Sequence, residues 1–230
     1  MVVLKRLKWK INLIDELEEK LQLEPLSLPS KINNSLAVIP EFVYRKVSLK
    51  GTWDHAHTMI FAPRVREGVH GVRIVTPLVR EKGSTILVDR GFVSKEKLES
   101  GAYLKDVGEV EIIGMLKTSE KRNTFTPDNE PKEGKWYWTD VEAMSGFAGG
   151  EEASVQPILV EQIFGGHAGE ATSLVDQGIP VGRPPTVELR NSHLSYVITW
   201  YALSGLTAAM FARLLINKKR SPGKRMPRFR

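Results

Sequence analysis

GVRIVTPLVREKGSTILVDRGFVS, Gly71–Ser94, decides how this chain folds. Two strongly apolar runs, RIVTPLV and STILVDRGFV, flank Glu81, Lys82 and Gly83, which read as a hairpin-type turn. The runs are short, rich in β-branched residues, and broken by glycine and proline, as strands are. Gly91 interrupts the second run. A glycine inside a strand marks either a bulge or a close backbone approach. Asp89 beside Arg90 would suggest a catalytic acid only with a partner base, and the spacing supplies none.

The same texture extends to both sides. Strands are expected over residues 44–51, 52–63, 71–79, 84–92, 110–116, 135–139 and 156–164, with a further one over 186–190. Short helices are expected over 95–100 and 139–146, and loops over 146–152 and 165–182. Many short strands with few helices give a mostly antiparallel β domain with peripheral helices, an α+β architecture. Ahead of it, Leu7, Ile11, Ile14, Leu17 and Leu21 recur at three- and four-residue steps and predict an amphipathic helix over 5–23, stopped by Pro25 and Pro29. Its early cations Lys5, Arg6, Lys8 and Lys10 suit either the flank of a membrane surface or an ordinary helix packed on the domain.

Beyond the β texture the chain changes solvent. ELRNSHLSYVITWYALSGLTAAMFARLLINKKR, Glu188–Arg220, has no charged residue from Leu194 to Ala212. Only Arg213 interrupts the apolar run to Ile216, and a helix crossing a hydrocarbon core needs roughly 20 such residues. Tyr196, Trp200 and Tyr201 cluster at one end, while Lys218, Lys219 and Arg220 close the other, as interface anchors and the positive-inside rule require. A transmembrane helix is the expectation, because a soluble surface helix would carry a polar stripe.

The net charge of +6 is local to the tail that follows. Lys218, Lys219, Arg220, Lys224, Arg225, Arg228 and Arg230 carry seven positive charges without an acid among them, so the rest of the chain stands at −1. That is a topology determinant or a contact for anionic headgroups, and it removes nucleic acid as a partner. The 230 residues contain no cysteine, which excludes disulfides, CxxC redox chemistry, thiolate zinc sites and cysteine nucleophiles. No GxSxG, P-loop, GxGxxG, HExxH or EF-hand pattern is present, which argues against an enzyme.

Four stretches remain as candidate sites. In TWDHAHT, Thr52–Thr58, a strand would put His55 and His57 on one face, a metal-binding arrangement that still lacks its third and fourth ligands. The alternative is a structural hydrogen-bond set around Asp54 and His55. The second is the Arg90–Gly91 break. The third, RNTFTPDNEPKEGKWYWTD, is an ordered loop leading into Trp136, Tyr137 and Trp138, which form a partner surface if exposed and core if buried. In the fourth, His193 precedes the apolar span, where a neutral imidazole would be either a haem ligand or a polar interfacial group.

In this order these motifs resemble the Surfeit locus protein 1 family of cytochrome c oxidase assembly factors. The carrying residues are YRKVSLKGTWDHAHTMIFAPR, GVRIVTPLV, TILVDRGFVS, IIGMLKTSEKRNTFTPDNEPKEGKWYWTD and VELRNSHLSYVITWYALS, from about Leu7 to the end of the span. The resemblance implies a eukaryotic, fungal-type protein of the mitochondrial inner membrane, with no catalytic residues and no resident metal. Its β domain would lie in the intermembrane space and its C-terminal tail in the matrix. Its partners would be the catalytic subunit of the oxidase, other assembly factors and the bilayer, and its cofactor or cargo haem a.

The family's motif residues fall on Gly51, Asp54, His55, Pro63, Arg64, Arg90, Gly91, Phe92 and Trp136, as partner-binding or structural positions, and its haem-side pair on Asn191 and His193. Asp89 departs from it, standing where an asparagine is common. The resemblance also places a first transmembrane helix upstream of RLKWK that this chain does not include, as in a processed, truncated or mis-started sequence. The expected organisation is an amphipathic helix over 1–24, a β-rich domain over 40–190, a transmembrane helix over 194–216 and a basic disordered tail over 217–230. Two rivals stand beside the assembly factor: a membrane-anchored metal-dependent enzyme using Asp54, His55 and His57, and a purely structural scaffold of an oxidase assembly intermediate.

Overall fold

The Glu81–Gly83 turn does join two antiparallel strands. In the computed structural model, β4 (Val69–Val79) pairs with β5 (Thr85–Ser94) from Leu78↔Ile86 to Gly71↔Ser94. The structure describes residues 19–30, 32, 45–104, 108–117, 119, 122–185 and 193–220. The helical stripe before Glu19, the strand expected at 186–190, Asn191 and the tail beyond Arg220 lie outside the described residues.

The other strands are β1 (Leu26–Ser27), β2 (Lys46–Trp53), β3 (Met59–Arg66), β6 (Glu109–Lys117), β7 (Lys135–Trp136) and β8 (Val155–Gln162). Their order is β1-β2-β6-β8-β5-β4-β3-β7, with a further pairing of β2 to β4 at Thr52↔Val79 and Trp53↔Leu78. That pairing closes β2, β6, β8, β5 and β4 into a ring. All five strands send apolar side chains into it: Val47 and Leu49, Ile112 and Leu116, Ile158 and Val160, Ile86 and Val88, and Leu78. Each such side chain contributes roughly 1.5–3 kcal/mol by leaving water. The alternate residues Val75, Leu87 and Leu159 face outward, where Met59 and Phe61 of β3, Trp136, and Val141 and Met144 of helix α2 (Val141–Phe147) cover them. Period-two patterning thus builds two cores, one inside the ring and one outside.

The α+β expectation holds, and most pairings are antiparallel. The pairs β1–β2, β3–β7 and β5–β8 are parallel, which strand texture alone does not signal. Three local expectations need correction. Residues 52–63 are not one strand, because Asp54 caps a 3-10 turn over His55–His57 that separates β2 from β3. The strand expected over 135–139 is confined to Lys135–Trp136. The loop expected over 165–182 contains helix α3 (Ala168–Gln177), which follows α1 (Lys95–Glu99) and α2. In α3 His167 Nδ1 accepts from Glu170 N at 3.0 Å, Ala171 and Val175 pack inward, and Gly178 ends the helix at φ 81°. Only glycine tolerates that ending cheaply.

Leu17–Val187 forms one unit, and the described part of the other is helix α4 (His193–Arg220). Within α4, Ile198–Asn217 is long and apolar enough to cross a membrane, and none of it is buried. Twenty residues rise about 30 Å, the thickness of a hydrocarbon core. The hydroxyls of Thr199 and Thr207 donate to the Ser195 and Leu203 carbonyls at 2.7 and 2.9 Å, so neither needs water.

Candidate functional site

The break in β5 has a definite geometry. Ile74 pairs with Gly91, but Val75 pairs with Asp89, so Arg90 is the extra residue of a β-bulge. Gly91 adopts φ 102°, and a Cβ there would lie 2.0 Å from the Val181 carbonyl oxygen. Phe92 and Val181 exchange backbone hydrogen bonds at 2.9 and 3.0 Å. Both expected uses of a strand glycine, bulge and close approach, therefore coincide at one residue. Phe92 packs with Val181, Ala171 and Val175, beneath α3.

The bulge sorts two neighbouring charges into different surroundings. Arg90 is buried, with its guanidinium 4.6 Å from the Trp53 ring and Nη1 donating to the Tyr103 carbonyl at 3.3 Å. Asp89 is wholly buried. Its Oδ1 accepts from Gly91 N at 3.1 Å, and its Oδ2 faces Arg73 Nε at 3.2 Å as an ion pair without hydrogen-bond alignment. Arg73 also stacks on Phe61 at 4.7 Å and donates to Thr139 Oγ1 at 3.4 Å. Burial pushes the Asp89 carboxyl up, with Arg73 pulling the other way. Across β8, Glu161 is the register partner of Asp89 and lies 3.9 Å from Lys117 Nζ and 3.7 Å from Arg183 Nη1. Arg73, Asp89, Glu161 and Lys117 thus line up charges across the adjacent strands β4, β5, β8 and β6.

Gly51 sits where the ring closes. A Cβ there would lie 2.4 Å from the Val79 carbonyl oxygen, so β2 and β4 meet only because position 51 is bare. Three residues later comes the Asp54 turn. Asp54 Oδ1 caps Ala56 N at 3.1 Å, and Oδ2 meets His57 Nδ1 at 2.6 Å. His57 is half-exposed, with its edge towards Phe147 at 6.0 Å. His55 and His57 therefore do not share a strand face, and Asp54 is engaged with His57. Among the described residues no group of three or more His, Asp or Glu side chains is placed to hold a metal ion.

The remaining expected residues scatter. Pro63 and Arg64 lie at an irregularity of β3, and Arg64 Nη1 donates to the Pro63 carbonyl at 3.2 Å, leaving both exposed. Trp136 is core: it has no exposed surface, stacks on Phe61 at 6.3 Å and meets Phe147 edge-on at 6.0 Å. Asn129 fastens the loop before it, accepting from Tyr137 N at 2.9 Å and donating to the Trp138 carbonyl. His193 is the first residue of α4, five positions before the apolar span begins. Asn191 lies outside the described residues. The structure thus brings Asp89, Arg90, Gly91 and Phe92 together, sets Asp54 with His57, and leaves His193 to the other unit.

Sequence patterns missed Arg73, Arg80, Lys117, Glu161 and Arg183. Each is a charge inside an apolar run or next to proline or glycine, which is the available signal.

The SURF1 family model matches residues 4–205. Surfeit locus protein 1 of Homo sapiens is 35% identical over 230 residues, covering 92% of this chain and 71% of that protein. Surfeit locus protein 1 of Takifugu rubripes is 34% identical, covering 93% of this chain and 90% of its own length. Cytochrome oxidase assembly protein SHY1 of Saccharomyces cerevisiae is 25% identical, covering 94% of this chain and 71% of that protein.

Proposed function

The chain belongs to the SURF1 family, and from that membership we propose that it is a membrane-anchored assembly factor for cytochrome c oxidase. The observation that carries the proposal is the pairing of a family match over nearly the whole chain with the apolar helix Ile198–Asn217. The relative whose name states oxidase assembly aligns over 94% of this chain at 25% identity, which supports the same work here. The protein acts by binding rather than by catalysis. Its partners are the catalytic subunit of the oxidase and other assembly factors, and its place is the mitochondrial inner membrane, with the domain over 40–190 in the intermembrane space. Helix 194–216 crosses the bilayer, and the basic tail over 217–230 lies in the matrix.

Haem a is the cargo that this reading assigns to the entrance of α4. Position 193 shares a helix face with 196 and 200, at steps of three and four residues. Tyr196 and Trp200 expose their rings there, which suits an apolar macrocycle at the membrane boundary. His193 is the ligand in this proposal and Asn191 its neighbour. Gly51, Asp54, His55, Pro63, Arg64, Arg90, Gly91 and Phe92 serve the shape of the domain that docks partners, with Trp136 beneath it. The test is a haem spectrum of protein purified from cells that make haem a. Wild type is expected to carry haem and His193→Ala to lose it. Equal haem in both removes His193 from the proposal.

A further inference from the structure

Arg213 is the only charged residue in Ile198–Asn217, four positions inside the end of that apolar stretch, and its side chain is exposed. Four residues rise about 6 Å, so in a bilayer its Cα lies roughly one turn below the headgroup boundary. Arginine does not shed its charge in proteins, so a guanidinium at that depth needs an acceptor. α4 supplies no counter-ion: the last acid in the chain is Glu188, five residues before the helix begins. Its backbone supplies none either, because the helix continues to Arg220 and the carbonyls around position 213 are spent on helical hydrogen bonds.

Direction hinders escape to water. The Cα–Cβ bonds of a helix tilt towards its N-terminus, and here that way leads to the middle of the span. The Arg213 stem therefore starts inward and has to fold back to reach the nearer boundary. An acceptor drawn down from that boundary meets the charge with less folding back. The acceptor a bilayer offers there is the phospholipid phosphate, whose oxygens fit the planar guanidinium fork two at a time. Charge then selects the headgroup. The C-terminal end of a helix carries about −0.5 charge, which repels a phosphate. Arg213, Lys218, Lys219 and Arg220 set four positive charges against it with no acid among them. That surplus favours a net-negative headgroup over a zwitterionic one, whose ammonium would sit among like charges.

We propose that Arg213 is the binding site of one anionic phospholipid in the leaflet beside the basic tail, its guanidinium holding the phosphate about one turn below the ordinary headgroup level. This rests on reading α4 as a membrane span. Arg213, Asn217 and Arg220 fall on one helix face, at steps of four and three residues, so the same headgroup meets all three positions. The tail beyond attracts such lipids collectively, whereas position 213 holds a single molecule.

The test is native mass spectrometry of the full chain in mild detergent, titrated with phosphatidylglycerol or with phosphatidylcholine. Wild type is expected to hold one phosphatidylglycerol in preference to phosphatidylcholine. Arg213→Gln is expected to weaken that binding at least about tenfold, the equivalent of one charged hydrogen bond. Lys218→Gln combined with Lys219→Gln is expected to weaken it less. Equal affinity of wild type and Arg213→Gln overturns the site. A loss in the double lysine variant as large as that in Arg213→Gln assigns the lipid to collective charge and overturns it too. Displacement of the lipid by inorganic phosphate assigns the position to a free anion, with the same consequence. The span is checked separately, since the absence of cysteine allows a single spin label at Leu206→Cys in lipid nanodiscs. Oxygen-dominated collisions there, with a failed titration, overturn the lipid site alone. Access of a water-soluble nickel chelate to position 206 overturns the span and the site together.

Discussion

Gly91 and Val181 are so close that a single methyl group on Gly91 would fall 2.0 Å from the Val181 carbonyl oxygen. The strand that carries Arg90 and the segment that leads out of the domain are held together through that bare position. Gly91→Ala is expected to destabilise the domain by about 3 kcal/mol, from the positive φ together with the collision. Gly68→Ala is the control, since Gly68 has φ 82° with open space around it and incurs only the backbone cost, about 1 kcal/mol. Denaturant midpoints of the two variants check this. Equal losses would show that the close approach contributes nothing.

Asp89→Ala is expected to cost about 3–5 kcal/mol, because Arg73 then faces an apolar interior without its carboxylate. Asp89→Asn, which keeps the shape and the acceptor for Gly91 N, is expected to cost less. The pH dependence has a definite sign. Burial raises the Asp89 carboxyl above 3.8, so the folded state holds the proton more tightly than the unfolded chain. Its favourable contribution is complete below that value and declines as pH rises through the folded pKa. Unfolding midpoints measured from pH 4 upward (an interval set by the ordinary aspartate pKa of about 4) are expected to show this decline in wild type and not in Asp89→Asn. Identical slopes contradict it.

Arg80 fastens the segment that enters the domain. Its guanidinium donates to the carbonyls of Leu28, Pro29, Ser30 and Ser84 and to Ser84 Oγ, at 2.8 to 3.3 Å. Burial lowers its pKa, with carbonyl oxygens rather than a carboxylate around it. Arg80→Lys keeps the charge and loses the planar fork, so it is not expected to rescue. Hydrogen exchange over residues 26–30 is expected to accelerate at least about tenfold in both Arg80→Lys and Arg80→Met, the equivalent of one or two lost charged hydrogen bonds. Unchanged protection in the lysine variant would show that charge alone suffices.

The strands of the Gly71–Ser94 hairpin are legible because two apolar, β-branched runs and a turn signal agree there, and the bulge because a glycine breaks the run. Ring closure was not legible. It depends on two pairings, Thr52↔Val79 and Trp53↔Leu78, between strands far apart in sequence. The split of residues 52–63 is not legible because TWDHAHTMIF contains no glycine or proline to break it, while Asp54 acts as a cap, a role that only backbone geometry reveals. Helix α3 does leave a signal in the sequence. Ala171, Leu174 and Val175 fall on one helical face before Gly178, hidden among glycines that suggested a loop. At the candidate site, His55 and His57 pair only on a strand, and the 3-10 turn breaks that alternation. The Asp54–His57 contact appears once the turn is known.

The central claim is tested by restoring oxidase to cells that lack their own family member. The chain is delivered to the mitochondrial inner membrane, beside a variant with Leu206→Lys and Met210→Lys, which puts two charges in mid-span. The account predicts that the wild-type chain restores the haem a absorbance of assembled oxidase and that the span variant, though folded in its β domain, does not. Absent restoration by a wild-type chain shown to be in that membrane would contradict the account, as would full restoration by the variant.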